Sequence, residues 1–241
     1  MFERLAKSTV RIECGTGTGS GFFYRDASIV VTNYHVVKGR LGQKIHVVAE
    51  DGEKVSAKIV GHSPESQFDF AILRLDSEIT GNTEILLPNI LRHIPRGTEI
   101  IFSGFPHGIP HLLVHSATVS GPAVQTGFYI DGSVNGGNSG GPVVDRDSGE
   151  VIGIITQRRF LGGAPLEDLQ RQVGPLLQHC EQMAGRGGVK IMGVDFGQFA
   201  AMMASGFQIM EQLIIANANS GIGIGFRIEF VDAEYDRLNL P

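Results

Sequence analysis

The sequence predicts a mainly β protein, a barrel or sandwich, with a helical insertion near its C-terminal end. Three observations predict it. Short runs rich in β-branched and aromatic residues follow one another from Ser8 to about Val124. Turn signals built on Gly, Asp and Pro separate them at intervals of about 8 to 12 residues, the spacing of an all-β barrel or sandwich. From about Pro165 to Ala218 the texture changes to apolar residues at helical spacing.

Taken in order, "STVRIEC", "GSGFFYR" and "SIVVTNYHVV" supply three strands, the first beginning almost at Met1 and the third ending at His35. "QKIHVVAE", "KVSAKIVG" and "DFAILRL" supply three more. Their Val, Ile, Phe and Tyr residues suit a pleated, half-buried surface, and the intervening Gly, Asp and Pro supply the turns. "TEIIFSGF", "HLLVHSATVSGP" and "GFYIDGSV" continue the pattern, and "DRDSGE" is a hairpin connection between "GPVV" and "VIGIIT". The insertion carries two helical stripes. The first is Leu166, Leu169, Val173, Leu176, Cys180 and Met183, which Gly174 and Pro175 are expected to divide. The second is Phe196, Phe199, Met203, Phe207, Met210 and Ile214. "VKIMG" between them reads as a short strand, and "GIGIGFRIEFV" at 221–231 as a final one.

At 241 residues the chain suits one sizeable domain, or two small ones sharing an interface. A net charge of −5, with "QRRF" at 157–160 the longest basic cluster, argues against nucleic acid as a partner. No apolar run approaches bilayer-spanning length, so no membrane partner is expected. "MFERLAKSTV" has no apolar core of the secretory kind. Cys14 and Cys180, far apart in sequence, could form a disulfide, but with no secretory signal they read by default as reduced thiols of a cytoplasmic protein. "GTGTGSG" and "GIGIG" match neither nucleotide-loop pattern and read as glycine-softened strand and turn. His107, His111 and His115 recur every four residues, but Pro110 and the β pattern place them on loop and strand. No Cys or acidic ligand joins them, so no metal and no cofactor is expected.

One stretch points to chemistry. "VNGGNSGGPVV" holds Ser139 between Gly136, Gly137, Gly140 and Gly141. Read alone, it is either a tight turn or a nucleophile loop. A serine hydroxyl is inert without a base, a group that orients the base, and donors for the oxyanion. His35 in "VVTNYHVV" is the candidate base, and Asp69 in "QFDFAIL" the carboxylate, which is costly to bury unless paired. Each alone has an ordinary structural reading, a hydrogen-bonded imidazole or a strand-end cap. In the order His, Asp, Ser, 34 and 70 residues apart, they stop being independent.

"SGFFYRDASIVVTNYHVV", "DFAIL" and "GNSGGPVVD" followed by "GEVIGIIT" resemble the trypsin-like (chymotrypsin-fold) serine peptidases, most closely the bacterial HtrA-type branch. The likeness covers roughly residues 8 to 160 and the strand at 221–231. Residues 162–217 lie outside it, and no stretch reads as the PDZ module that HtrA-type proteins append. The resemblance implies two antiparallel six-stranded β-barrels, 1–92 and 93–241, the second carrying the insertion at 162–217. It implies a serine endopeptidase acting through an acyl-enzyme, with His35, Asp69 and Ser139 as triad and the N–H groups of Gly137 and Ser139 as oxyanion hole. The alternative is a protease-fold regulatory or binding module with little turnover.

The resemblance also implies a specificity pocket with Ser133 at its base and Val134, Ile154 and Ile155 as walls. The strand Ile154–Thr156 would pair with an extended protein or peptide substrate. With no acid at Ser133, cleavage after small or medium aliphatic residues is expected, although Asp131 lies close in sequence. Strand alternation says that one of Ile154 and Ile155 is barrel core. Where trypsin-type enzymes activated by cleavage carry Asp before the serine, this chain has Asn138, so no zymogen cleavage is expected. The insertion would then emerge near the pocket mouth, either packing as core or serving as a lid for a regulatory partner.

Overall fold

The computed structural model describes Met1–Pro241 apart from residues 16, 39–43, 65, 91–92, 107–108, 123–125, 161–162, 186–189, 192 and 218, and apart from the side chains of 157–160, 163–170, 191, 211–217 and 219–220. Contacts divide the chain into two compact units, one of residues 1–159 and 221–241, the other of residues 160–220.

The first unit holds two closed six-stranded antiparallel barrels. A short helix, α1 (Phe2–Ser8), precedes β1 (Thr9–Cys14), β2 (Gly17–Tyr24) and β3 (Asp26–Thr32). One helical turn, α2 (Tyr34–Val37), leads to β4 (Ile45–Val48), β5 (Lys54–Ser63) and β6 (Phe70–Leu75), and these strands close in the order β1-β2-β3-β6-β5-β4. The second barrel uses β7 (Glu99–Gly104), β8 (Leu113–Pro122), β9 (Gly127–Asp131), β10 (Pro142–Asp145) and β11 (Val151–Phe160). The other unit then follows: α3 (Gly163–Ala184), a two-stranded ribbon β12 (Lys190–Ile191) and β13 (Val194–Asp195), and α4 (Phe196–Asn217). The chain returns as β14 (Asn219–Arg227), which closes the order β10-β11-β14-β9-β8-β7, and ends in α5 (Glu229–Arg237).

Runs such as "SIVV" are continuously apolar because both faces of these strands are covered. On β2 and β3, Phe23 and Val30 join Val10, Ile12, Val47 and Leu73 inside the first barrel. Their neighbours Phe22 and Val31 turn the other way and meet Ile101, Val144, Val151 and Ile154 of the second barrel. Phe102, Phe128, Ile130, Val143, Ile152 and Ile155 fill the second barrel's interior. Each such side chain, withdrawn from water, contributes about 1.5–3 kcal/mol. An apolar layer therefore lies between the barrels as well as inside each of them.

The structure corrects four readings of local structure. Ser8, read as the start of the first strand, instead ends a helix over residues 2–8: Leu5 is buried between the barrels, and the hydroxyls of Ser8 and Thr9 both donate to its carbonyl, closing the last turn. His35 sits in α2, beyond the end of β3. The first helix of the insertion runs unbroken through Pro175, which removes only one backbone donor from a 22-residue helix. Its partner α4 packs along it, with Val173, Ala200 and Ala204 buried.

The final strand stops at Arg227, and "EFVDAEYDR" is the helix α5, with acidic residues in its first turn and Arg237 in its last. Although α5 follows the second barrel's last strand, it packs on the first barrel. Phe230 stacks on Phe68 at 3.8 Å, and Tyr24 donates its hydroxyl to Asp232 at 2.7 Å. Arg25 lies over the Tyr235 ring while pairing with Asp232 and Asp236.

Of the three histidines weighed as ligands, His107 lies outside the described residues and His111 is exposed. His115, on β8, stacks on Phe102 at 4.8 Å, with its Nε2 buried and partnerless among the described residues. Burial holds its pKa below the ordinary imidazole value of 6.5. The unfolded chain thus takes up this proton at higher pH than the folded protein. The associated stability is complete above about pH 6.5 and is lost as pH falls through the depressed value. Replacing His115→Phe is expected to shrink the fall in Tm between about pH 7.5 and pH 5.5. Equal falls in the two proteins would remove His115 from the acid response.

Candidate active site

Asp69 is where the burial problem is sharpest. Its side chain is about 2% exposed, at the head of β6, in a backbone conformation (φ 45°) that few non-glycine residues adopt. That conformation is held on both sides. The Asp69 N–H donates to the Pro64 carbonyl at 3.1 Å, and the Asp69 carbonyl accepts Nδ2 of Asn33 at 2.7 Å and the N–H of Tyr34 at 3.3 Å.

A buried carboxylate needs donors, and three are supplied. The backbone N–H of His35 donates to Oδ1 at 3.0 Å, and Nδ1–H of His35 donates to Oδ2 at 2.7 Å. The hydroxyl of Thr156, on β11 of the other barrel, donates to Oδ2 at 2.6 Å. The imidazole is thereby fixed in the tautomer that carries its proton on Nδ1 and leaves Nε2 as an acceptor, with 28% of the side chain open to solvent.

Ser139 stands on the turn that precedes β10. Its hydroxyl donates to the Thr156 carbonyl at 3.2 Å, so Thr156 links the serine to the Asp69–His35 pair: one of its oxygens faces Ser139, the other Asp69. The flanking glycines have identifiable reasons. Gly137 and Gly140 both adopt positive φ, 96° and 88°. A Cβ on Gly140 would also run into the Ser20 carbonyl and the Thr32 hydroxyl.

Along this turn the N–H groups of Asn138, Gly140 and Gly141 donate to Asn135, Ile155 and Asn138 carbonyls. Those of Gly137 and Ser139 donate to no acceptor among the described residues. Two N–H groups of one turn are thus left for an external acceptor, the arrangement that binds developing negative charge. Asn138 is fully buried, and neither polar atom of its side chain has a partner among the described residues. A neutral amide there costs less than an ionised Asp, which would demand a counter-charge.

The residues read as pocket walls are placed differently from one another. Ser133 and Asp131 are exposed. Val134 and Ile155 lie within the second barrel's core, and Ile154 is packed between the barrels, each no more than 2% exposed. Ile154 and Ile155 act as core on both faces of β11, beyond the single core position that alternation requires. Thr156 turns its hydroxyl inward to Asp69. That bond, and the hold of Asn33 on the Asp69 carbonyl, went unread in the sequence. The signal was a polar residue directly after the apolar "VIGII" and another directly before "YHVV".

A sequence profile described as a trypsin-like peptidase domain matches residues 19–154. Over 163 residues the chain is 32% identical to "Protease Do-like 1, chloroplastic" of Arabidopsis thaliana, covering 60% of this chain and 34% of that protein. Over 145 residues it is 37% identical to a "Probable periplasmic serine endoprotease DegP-like" of Brucella suis, covering 57% of this chain and 27% of that one. Among solved structures, the serine endoprotease from Yersinia pestis superposes with a TM-score of 0.56 at 27% identity, over 65% of this chain and 56% of that one. The chain spans about a third or less of the length of these curated relatives.

Proposed function

This chain belongs to the trypsin-like peptidase domain family, and from that premise we propose that it is a serine endopeptidase of the HtrA/Deg kind, acting on protein or peptide chains. One observation carries the reading. The buried Asp69 carboxylate takes His35 Nδ1–H at 2.7 Å, and Thr156 ties that pair to Ser139 on a turn with two N–H groups left open.

In this reading the Ser139 hydroxyl turns from the Thr156 carbonyl to His35 Nε2 once substrate is bound. Such catalytic hydrogen bonds commonly form only in the Michaelis complex. His35 takes the proton as Ser139 Oγ bonds to the scissile carbonyl carbon, and Asp69 stabilises the resulting imidazolium. The carbonyl oxygen, now negative, accepts from the N–H groups of Gly137 and Ser139. Each such donor is worth on the order of 3 kcal/mol of barrier. The tetrahedral adduct collapses, the amine leaves with the proton from His35, and water, deprotonated by the same imidazole, releases the acyl group.

For specificity, the proposal is cleavage after small or medium aliphatic residues. Its support is the absence of an acid at Ser133 and the outward exposure of Asp131. The helical unit is proposed as the seat of control by a protein partner. It is inserted between β11, which carries Thr156, and β14, and its second helix brings Phe196, Phe199, Met202, Met203, Phe207 and Met210, an adaptable apolar set. A cytoplasmic setting is proposed on the sequence alone, which carries only two cysteines, Cys14 and Cys180, far apart in the chain. The named relatives are periplasmic or chloroplastic proteins. Among the described residues, no helix is long and apolar enough to cross a membrane.

Ser139→Ala, His35→Ala and Asp69→Asn are each expected to lower peptide hydrolysis by roughly 10³-fold or more. The Ser139 and His35 losses should be non-additive, and a fluorophosphonate should label the wild type but not Ser139→Ala. A His35→Ala protein with near-wild-type turnover would refute the triad. A peptide-library digest is expected to show Val, Ala or Leu before the cut, and a profile dominated by Arg or Lys would turn attention to Asp131. Replacing residues 163–216 with a short Gly-Ser linker is expected to raise basal hydrolysis of small peptides. Unchanged activity in a stably folded variant would remove the insertion from control.

A further inference from the structure

Ser20 lies in "GTGTGSG", the glycine-rich stretch whose spacing fits no nucleotide loop, on β2 of the first barrel. It is fully buried, and every hydrogen-bonding group it owns is engaged. Its hydroxyl donates to the Gly137 carbonyl at 2.7 Å and accepts the N–H of Phe105 at 2.9 Å. Its own N–H donates to the Ser139 carbonyl at 2.8 Å, and its carbonyl accepts the Thr32 hydroxyl at 2.6 Å. One residue of the first barrel thus grips the turn of the second barrel at two points, on either side of Asn138. Gly19, just before it, lets the turn come this near: a Cβ there would lie 2.7 Å from Val36 and 3.3 Å from the Ser139 carbonyl.

The consequence follows from the planarity of the peptide unit. The peptide joining Gly137 to Asn138 is pinned at both edges, its carbonyl by Ser20 and its N–H by Asn135. The peptide joining Ser139 to Gly140 is pinned likewise, by Ser20 and Ile155. The two N–H groups that stay open, of Gly137 and Ser139, belong to the peptides alternating with these. Holding the alternate planes fixes the directions of the open ones.

We propose that the Ser20 hydroxyl is a positioning group for the oxyanion-binding turn, aiming the N–H groups of Gly137 and Ser139 through the Gly137 carbonyl. The inference rests on the endopeptidase reading above. Ser20 touches no reacting atom, and its effect is on how well the transition state is held, not on how substrate is bound.

The test compares wild type, Ser20→Ala and Thr9→Val. Thr9 bonds Ser103 across the barrels at 2.6 Å, a similarly buried hydroxyl contact that does not reach the turn. Ser20→Ala is expected to lower kcat on the order of tenfold with KM changed less than about twofold, since removing a donor outright costs about 10²–10³. Affinity for a peptide boronic acid, whose adduct oxygen occupies the oxyanion position, should fall by the same factor. Thr9→Val should lower Tm while leaving kcat in place. A folded Ser20→Ala with wild-type kcat and boronate affinity would overturn the proposal. If that variant does not fold, Ser20→Cys, close in size and a weak donor, decides by the same measurements. A wild-type protein that neither turns over peptide nor takes a fluorophosphonate on Ser139 would overturn the endopeptidase reading itself. An active wild type with an indifferent Ser20→Ala would overturn only the role of Ser20.

Discussion

A carboxylate buried to the depth of Asp69 destabilises any fold that does not surround it with donors, by several kcal/mol. The rest of the site is arranged as the answer to that demand. Two donors come from His35 in the first barrel and one from Thr156 in the second. Satisfying the charge therefore requires both barrels to be folded and docked. The same bonds choose the imidazole tautomer and hold Thr156 so that its carbonyl meets Ser139. One set of bonds thus both satisfies a buried charge and orders His35, Thr156 and Ser139 about it.

Around this polar centre the packing is plain. Strands β2 and β3 divide their side chains between the interior of the first barrel and the apolar layer against the second. The two faces are served by adjacent residues, so the register of β2 is doubly specified. A slip of one residue would exchange Phe22 with Phe23, and would also carry Ser20 off the turn it holds. The glycines of "GTGTGSG" and "GGNSGG" meet at this contact, and they allow two backbones from different barrels to approach as side-chain-bearing residues could not.

Much of this was legible in the amino-acid sequence. The β runs, their turn signals and the ordered trio His35, Asp69 and Ser139 announce themselves locally, through period-two patterning and a glycine-wrapped serine. What escaped depends on distant partners. Helix α1 is too short for periodicity to reveal it, and its reason to be helical is Leu5 settling between the barrels. Helix α5 hides inside a pattern equally fit for a strand. It is decided by Val231 and Tyr235, four apart, meeting the first barrel. Ile154 and Ile155 are adjacent, and only the packed structure shows that both faces of β11 are covered. The only local sign of the Thr156 hydroxyl's role is a polar residue closing the apolar "VIGII", and that does not name its partner Asp69, which stands 87 residues away.

The order of the strands has a consequence for how the chain is made. β14 lies between β11 and β9 in the second barrel, yet it is synthesised only after the helices α3 and α4. Helix α5, which covers Tyr24 and Phe68 of the first barrel, comes later still. On the ribosome the first barrel can assemble early, but one flank stays bare, and the second barrel stays an open sheet with an unpaired edge until the last strand emerges. Long-range closure of this sort is slow and leaves sticky edges exposed meanwhile. The helical unit thus lengthens the interval between the birth of the Ser139 turn and the closing of the barrel that carries it. During vectorial synthesis the site is assembled last, although most of its residues are translated long before.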